Sequence, residues 1–556
     1  MVTFFQKRLP VLVAAGVLLI LLLITCRQIL HTTGGHFCYP LDDTFIHLSM
    51  AKNLALHGVW GINALEFSSA SSSPLYTLLL ATAIKLGFTN LWMPFLMNAL
   101  FALGLLFAAD ALLRLFSLNT IARTIILLLV VCFTPLTVMI ASGMEHLLHA
   151  WLVLLFLRVA IPVITMEGTN WKGVLLAGIF AGLAVMARFE SLFLLAAVMG
   201  LLLYRRKWLA IPSIFILGIL PLLFFGYLSV RQGGHWLPNS VLLKGSHLGG
   251  GMAQLKQSLQ EIIVYKLTFG NNTMVNLFTN QYFPEGASSL SGTTLLRLLL
   301  VMPVLLLWIK PQPSQEKTYN LARYLAVAFL IGGVFHLALA AVGWLFRYEA
   351  YLVVLGLLAG GVLVSLQATA IKTRWRQRAL LEKLVAVFAI AFTLAPIPLR
   401  AAGAYQNLPL ACRNIYEQQY QMGTFLNEHY QHSTIAVNDI GAVSYLSNNY
   451  IFDLWGLGNN QVADGKMKGK YNADFLAQLS AAHRTQVAIV YDAWFDAALL
   501  GKWQKIATWQ ISNNVICGGD TVSFYAADAA AAAGLRANLQ QYQSQLPGDV
   551  TVRYYP

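Results

Sequence analysis

The sequence predicts a polytopic α-helical membrane protein with about 11–12 spans and a C-terminal α/β domain outside the cytoplasm. Of the 556 residues, 58% are hydrophobic and only 11% are charged, whereas soluble domains carry about 25% charged residues. The charge is missing from continuous apolar runs, such as residues 11–24 and 215–228. Continuous runs favour helices over the alternating strands of a membrane barrel. From residue 401 onward the composition is mixed, as in a soluble domain.

Twelve apolar segments approach or reach the length that a bilayer core of roughly 30 Å requires of a helix. The first segment follows Lys7 and Arg8 and lacks a small-residue cleavage site, so we expect an uncleaved helix. Segment 75–88 is too short for an ordinary span, so we expect it to dip into the bilayer, lie at the interface or fuse with its neighbour. The segments are 10–30, 75–88, 91–113, 121–141, 146–164, 172–187, 190–204, 208–230, 293–309, 320–345, 349–368 and 384–400.

Basic clusters between these segments predict the orientation, because cytoplasmic loops are rich in Lys and Arg. The clusters account for the net charge of +14, so we do not expect nucleic acid as a partner. We expect a multi-pass protein of the cytoplasmic membrane with a cytoplasmic N-terminus, a transmembrane domain over 1–400 and a soluble extracytoplasmic domain over 401–556. The loops 31–74, 142–145, 188–190, 231–292 and 346–349 then lie outside. The clusters are Arg114 with Arg123, Lys172, Arg205 to Lys207, Lys310 with Lys317, and Lys372 to Lys383.

The soluble part alternates short strand-like runs with helical stretches, which is typical of a small α/β domain. The runs are 433–438, 450–453, 486–491, 503–511 and 521–525, and the alanine-rich segment 526–535 predicts a helix. The five cysteines form no CxxC pair, so a zinc site is not expected. Cys412 and Cys517 both fall in this domain and could form a disulfide in an oxidising compartment.

Two adjacent carboxylates, Asp42 and Asp43, stand just beyond the first span, after Pro40. An acid at a helix start meets free amides and the helix dipole, so one of the two could be a cap. Capping does not explain why both carboxylates are needed. His47 follows one helical turn after Asp43 and could tune the carboxylate, although a lone histidine is commonly structural.

This first outer loop resembles that of the GT-C glycosyltransferases, polytopic enzymes that use polyprenyl-phosphate sugars, and in particular the mycobacterial arabinofuranosyltransferase type. The resemblance extends from residue 40 to about 460, and each string stands in the same order and on the same predicted side. The sequence departs from the pattern at Ser49, where the family often has an arginine, and at Ser72, where it often has a threonine. The matching strings are Asp42-Asp43-Thr44-Phe45-Ile46, Ala51 to Asn63, Ser73-Pro74-Leu75-Tyr76, Ser142 to Glu145, Arg188-Phe189-Glu190, Leu237 to Lys244, and Asp439 to Leu457.

The resemblance implies transfer of a sugar, such as the pentofuranose arabinose, from a polyprenyl-phosphate donor to a cell-envelope glycan, lipid or protein, with inversion. Transfer through an oxocarbenium-like state needs a carboxylate, and the leaving phosphate needs a cation more than a proton. We expect Asp42 or Asp43 to be the base, with Asp42 favoured. Arg188, Lys244 and Arg347 are candidate phosphate ligands, because guanidinium groups bind phosphate with two donors.

The other candidates each have a structural alternative. Glu145 could orient the acceptor or cap the helix it begins, and Asp43 with Glu145 could hold a divalent cation, the one cofactor considered. Arg188 and Glu190 could be a local ion pair, Lys244 a solvated lysine, and Arg347 an interfacial side chain between aromatic residues. Asn239 belongs to one matching string, and Asp439, at the end of a predicted strand, could bind the acceptor or shape a turn.

Two further functions compete with glycosyl transfer. A transporter or lipid-linked sugar flippase should carry ionisable groups near the bilayer midplane, and the sequence offers Asp110, His149, Arg158 and His336. A noncatalytic envelope assembly factor would use the soluble domain to bind a partner. The long loop 231–292, rich in Gly, Asn and Ser, could be a lid over the donor site or an ordinary surface loop.

Overall fold

A computed structural model of the chain describes residues 2–244, 283–308 and 315–556. The proposed lid falls mainly on 245–282, which lie outside the described residues. A helix is present at each of the twelve predicted apolar segments. The helices up to residue 394 are Val2–Thr32, Asp42–His57, Pro74–Lys85, Trp92–Leu113, Thr120–Phe133, Leu136–Ala141, His146–Thr165, Trp171–Ala187, Ser191–Tyr204, Ala210–Arg231, Asn239–Lys244, Phe283–Trp308, Glu316–Leu339, Ala350–Leu366, Ala368–Gln377 and Leu380–Leu394.

The chain is a multi-pass membrane protein, although the number of long spans is smaller than the sequence predicts. Within the described ranges, 6 helices are long and apolar enough to cross a bilayer, and two bent pairs raise the number to 8. The remaining four apolar helices, among them Pro74–Lys85 with 12 residues, are shorter than the roughly 30 Å core. Predicted segment 121–141 is broken before Leu136, where Pro135 lacks the amide that would continue the helix.

The helix ends that carry the candidate residues meet on one side of the membrane part. Asp42–His57 begins with the two acids and ends at Gly58, whose φ of 70° is the usual left-handed helix end. Thr44 donates a hydrogen bond to the Ser142 carbonyl at 2.7 Å, and Tyr76 donates one to the Gly143 carbonyl at 2.6 Å. The first outer loop and loop 142–145 are therefore joined by direct hydrogen bonds.

The chain leaves the membrane part through the helix Pro396–Ile415, which continues through a π-helical turn, Tyr416–Tyr420, into Gln421–His429. A six-stranded sheet follows, in the order β2-β1-β3-β5-β4-β6. Strands β1, β2 and β3 are parallel, while β5, β4 and β6 add antiparallel strands. The strands are Thr434–Val437 (β1), Tyr450–Asp453 (β2), Val487–Val490 (β3), Gln504–Gln510 (β4), Thr521–Ala526 (β5) and Thr551–Tyr554 (β6).

The helices of this domain are short and begin mostly at polar caps. They are Gly441–Leu446, Asn460–Met467, Ala473–Ala482, Ala497–Leu500 and Ala529–Tyr542. The predicted alanine-rich helix begins at Ala529, because Asp528 accepts a hydrogen bond from the Ala531 amide and caps it. Strands β1 to β5 coincide with predicted runs, whereas β6, at the edge of the sheet, was not predicted.

The first outer loop shares an apolar core with the sheet. Ile46 and Met50, from the Asp42–His57 helix, are buried in one cluster with Ile435 and Val437 of β1. Burying such side chains stabilises the contact by about 1.5–3 kcal/mol each. The sheet domain is therefore packed directly onto the loop that carries Asp42 and Asp43.

The possible disulfide between Cys412 and Cys517 is not formed, and all five cysteines are free thiols. Cys517 lies 3.3 Å from the Gln419 amide oxygen, to which its thiol donates a hydrogen bond. Cys412 and Cys517 are both buried, so the two cysteines serve as packing residues and not as a covalent cross-link.

Candidate active site

The ends of the outer loops enclose a cavity of about 320 Å³ between the membrane part and the sheet domain. Its lining includes apolar side chains, among them those of Leu192, Phe193, Leu237, Leu339 and, from the sheet domain, Leu457. A cavity with a few convergent polar groups on a largely apolar lining is the usual form of a ligand site. The polar side chains of the lining, here called the polar wall, are those of Asp43, His47, Ser72, Arg188, Glu190, Ser240, Arg347 and Tyr348.

Asp43 and Arg347 form an ion pair at the cavity wall. The Arg347 guanidinium donates to Asp43 Oδ2 at 2.5 Å, across 304 positions of sequence. The Arg347 side chain is only 1% exposed, whereas the Asp43 side chain is 25% exposed. Burial alone would lower the pKa of Arg347, but the neighbouring Tyr348 and Asp43 raise it above its usual value. Arg347 is therefore a permanent cation, and Asp43 is a carboxylate that a ligand can reach.

Asp42 does not line the cavity but faces the sheet domain. Its two oxygens accept hydrogen bonds from the backbone amides of Gly441, at 2.7 Å, and Ala442, at 2.8 Å. These amides begin the Gly441–Leu446 helix, so Asp42 fixes the two domains together. Burial and the nearby Asp439 carboxylate raise the pKa of Asp42 to about 8.

Glu145 lies behind the polar wall in a buried network. It pairs with Arg188 at 2.5 Å, accepts a hydrogen bond from Ser72 at 3.3 Å and lies 3.3 Å from His47 Nε2. Arg188 also pairs with Glu190. Burial alone would raise the pKa of Glu145, but the adjacent imidazoles and the Arg188 guanidinium hold it well below its usual value. Glu145 is thus an ionised support that fixes His47 and Arg188 at the cavity.

Tyr348 connects the two cations of the wall. The guanidinium carbons of Arg347 and Arg188 lie 5.0 Å and 5.4 Å from the centre of its ring, within cation–π range. Its hydroxyl accepts a hydrogen bond from Arg347 at 3.3 Å. Sequence reasoning missed Tyr348 as a site residue, and the available signal was its position directly after Arg347 in an outer loop. Ser72 was noted only as a departure from the family pattern.

Besides Asp42 and Glu145, three further predicted site residues lie away from the cavity wall or cannot be placed. Asn239 is buried, and its amide donates to the Leu457 carbonyl at 3.3 Å and to Asn460 Oδ1 at 2.9 Å, so it joins the two domains. Asp439 accepts hydrogen bonds from Gln419 and Tyr491, both at 2.8 Å, inside the sheet domain. Lys244 ends the Asn239–Lys244 helix, and its side chain lies outside the described residues.

The predicted cation ligands Asp43 and Glu145 are paired with arginines in this structure. Among the described residues, no group of three or more His, Cys, Asp or Glu side chains is arranged to hold a metal ion. The cations next to these two carboxylates in the structure are the guanidinium groups of Arg347 and Arg188, and a divalent cation at this site stays a prediction.

Three of the ionisable residues predicted to lie in the membrane have internal partners. Asp110 pairs with Arg114 and Arg123, the latter at 2.7 Å. His149 Nε2 lies 2.8 Å from the Ser191 hydroxyl, and His336 Nδ1 lies 3.2 Å from the Tyr351 hydroxyl. Each of the three residues thus has at least one polar partner inside the helix bundle, although His336 Nε2 and Arg123 Nε are buried without a hydrogen-bond partner among the described residues.

Comparisons with known proteins agree with this architecture. The profile of a domain of unknown function (DUF8728) matches residues 413–525, and no curated protein matches the sequence. The chain is similar in structure to ArnT from Cupriavidus metallidurans bound to undecaprenyl phosphate, with 13% identity, a TM-score of 0.48 and coverage of 93% of this chain and 98% of that one. It is also similar to the mycobacterial arabinofuranosyltransferase AftD, with 14% identity, a TM-score of 0.38 and coverage of 94% and 42%.

The similarity to the apo oligosaccharyltransferase of Archaeoglobus fulgidus reaches a TM-score of 0.50, with 10% identity and coverage of 97% of this chain and 78% of that one. At this identity the likeness concerns the fold. The structural similarity extends over both the helical membrane part and the sheet domain, because 97% of this chain is aligned. The fold predicted from the sequence is thus confirmed: this chain has the fold of the GT-C glycosyltransferases.

Proposed function

We propose that the protein is a membrane glycosyltransferase that moves a sugar from a polyprenyl-phosphate donor to an acceptor hydroxyl outside the cytoplasm. The observation that carries the proposal is the cavity whose lining combines Asp43, Arg188 and Arg347 with many apolar side chains. A lipid-linked sugar phosphate has the same three parts: a reactive sugar, an anion and a hydrocarbon chain. The basic clusters of the other loops support an extracytoplasmic position for this cavity.

Arg347 is suited to hold the donor phosphate. Its Nε and Nη1 atoms are buried and have no hydrogen-bond partner among the described residues. A buried donor left without a partner costs about 1–3 kcal/mol, and more when it is charged. A phosphate oxygen would satisfy these donors, with the planar guanidinium giving a two-pronged contact.

Asp43 is suited to be the general base, in preference to Asp42. Phosphate bound to Nε and Nη1 would share the positive charge of Arg347 with Asp43, which is paired with Nη2, and would thereby weaken this ion pair and make carboxylate oxygen Oδ2 available to the acceptor. The acceptor oxygen attacks the anomeric carbon, and its proton passes to Asp43. The bond between the anomeric carbon and the phosphate oxygen breaks, and its electron pair leaves with the polyprenyl phosphate. A single displacement of this kind inverts the anomeric configuration.

Purified protein in lipid nanodiscs, given undecaprenyl-phosphate sugars that include arabinofuranose, tests the proposal. We expect mass spectrometry to show one sugar transferred to an added acceptor, and Asp43→Asn to lose the activity. Glu66→Gln is a matched control, because Glu66 is a carboxylate of the same predicted outer loop that does not line the cavity. It accepts a hydrogen bond from the Tyr450 hydroxyl at 2.5 Å. Wild-type protein that binds and transfers no lipid-linked sugar, or an active Asp43→Asn variant, would contradict the proposal.

A further inference from the structure

The turn that precedes Arg347 has an unusual backbone. Gly343, Trp344, Leu345 and Phe346 have φ values of 87°, 46°, 59° and 57°. Residues with a side chain rarely adopt this left-handed region, and bulky ones such as these three are outliers that persist only where the surroundings hold them. The Arg347 amide donates to the Gly343 carbonyl at 3.2 Å, which closes the turn. Arg347 therefore takes its position from a strained segment.

A buried ion pair holds this turn from both ends. Glu349 Oε2 accepts a hydrogen bond from the Gly343 amide at 2.9 Å, and Glu349 Oε1 accepts one from Arg400 at 2.8 Å. Arg400 also donates to the carbonyl of Phe346, the last left-handed residue. The side chains of Glu349 and Arg400 are both 0% exposed, so neither can be a ligand of the cavity.

We propose that Glu349 and Arg400 are positioning residues that hold the strained turn and thereby aim Arg347 at the donor phosphate. This inference depends on the phosphate-binding role of Arg347 in the proposed function. Arg400 belongs to the helix Pro396–Ile415, and it also donates to the Phe133 carbonyl at 3.4 Å. The phosphate site is therefore linked to the helix that connects the membrane part with the sheet domain.

A purely structural ion pair and a positioning pair give different results for the substitution Arg400→Lys. Lysine keeps the positive charge beside Glu349 but lacks the forked guanidinium that reaches the Phe346 carbonyl at the same time. A positioning role predicts a weaker donor site with an unchanged acceptor site. A structural role alone predicts lower thermal stability, with both substrate affinities preserved in the folded fraction.

The experiment measures undecaprenyl-phosphate binding and the KM for donor and acceptor on full-length protein in nanodiscs. For Arg400→Lys we expect about tenfold weaker binding of undecaprenyl phosphate and a donor KM raised to a similar extent, with the acceptor KM unchanged. Adding Trp344→Gly should restore most of the donor affinity, because glycine adopts a positive φ without strain and needs no clamp. The matched control is Arg413→Lys, on the same helix, where Arg413 pairs with Glu417 at 2.6 Å.

A second variant tests the proposal if Arg400→Lys does not fold. Gly343→Ala places a side chain at φ 87° and should weaken undecaprenyl-phosphate binding while Glu349 and Arg400 are intact. Gly360→Ala is its control, because a Cβ there meets nothing within 4 Å. Wild-type affinity in Arg400→Lys or in Gly343→Ala, or no rescue by Trp344→Gly, would overturn the inference. Wild-type protein that binds no undecaprenyl phosphate would instead overturn the proposed function.

Discussion

Asp42 and Asp43 are neighbours in sequence, yet they serve different parts of the molecule. Successive residues of a helix point about 100° apart, so the first turn of Asp42–His57 sends one carboxylate to the sheet domain and the other to the cavity. Asp42 accepts hydrogen bonds from two backbone amides, whereas Asp43 is paired with Arg347 at the cavity. The two adjacent acids therefore connect one helical turn both to the sheet domain, through Asp42, and to the cavity, through Asp43.

This division predicts opposite effects for two matched substitutions. Asp43→Asn should lower kcat by about 10²-fold or more, because a general base contributes 10²–10⁴, with little loss of stability. Asp42→Asn should keep most of the activity but destabilise the docked domains by about 1–3 kcal/mol, through weakened bonds to the Gly441 and Ala442 amides. Steady-state rates and thermal unfolding in the same nanodiscs check both. If Asp42→Asn were the inactive variant and Asp43→Asn the active one, the assignment would be reversed.

At the residue scale, sequence reasoning selected side chains that the structure places around one cavity, and it anticipated the ion pair of Arg188 with Glu190 but not that of Asp43 with Arg347. It singled out Asp43, His47, Arg188, Glu190 and Arg347, all of which line the cavity. It favoured Asp42 over Asp43 because the sequence does not show which carboxylate meets the amides of a helix about 400 residues later. The role of Arg400 was equally invisible, since a basic residue at a span end normally indicates orientation and not a clamp on a distant turn.

At the element scale, the contact between the Gly441–Leu446 helix and the first outer loop depends on one glycine. A Cβ at Gly441 would lie 2.0 Å from the Asp42 carbonyl oxygen and 2.7 Å from its carboxylate. Gly441→Ala should therefore force the helix away from Asp42 and loosen the sheet domain, with faster amide exchange or proteolysis at this helix. Gly534→Ala is the control, because nothing lies within 4 Å of a Cβ there. Equal protection in both variants would show that the contact is not tight.

Helices and strands could be predicted where the hydropathy pattern of a single segment is enough to define them. Continuous apolar runs place a helix at all twelve predicted segments, because hydropathy acts within a single segment. The number of long spans was overestimated, since four of these helices are shorter than a bilayer and depend on packing against neighbours. Strand β6 (Thr551–Tyr554) was missed because a short edge strand is defined by its partner, here β4, and not by its own alternation.

At the scale of the whole molecule, buried carboxylates fall into two sets that respond to pH in opposite directions. Burial alone would raise the pKa values of Glu145, Glu190 and Glu349, but neighbouring cations lower them below the usual value of 4.5. Their stabilising effect is complete above the pKa of the unfolded chain and is lost as the pH falls below it. Asp42, at the contact between the domains, and the nearby Asp439, inside the sheet domain, have raised pKa values, chiefly because they are buried.

The raised pKa of Asp42 predicts that its contribution to docking of the sheet domain weakens as the pH rises from about 4 to about 8. In the unfolded chain Asp42 loses its proton near 3.8, while in the folded protein it keeps the proton up to about 8. Across this window the folded state binds more protons, so each pH unit lowers its stability by at most about 1.4 kcal/mol. In thermal unfolding from pH 5 to pH 8, the midpoint of the wild type should fall relative to that of Asp42→Asn as the pH rises, because only the wild type loses the Asp42 contribution. Glu382→Gln, in an exposed pair with Arg378, should keep the wild-type slope, and a wild-type slope in Asp42→Asn would refute the role of this carboxylate.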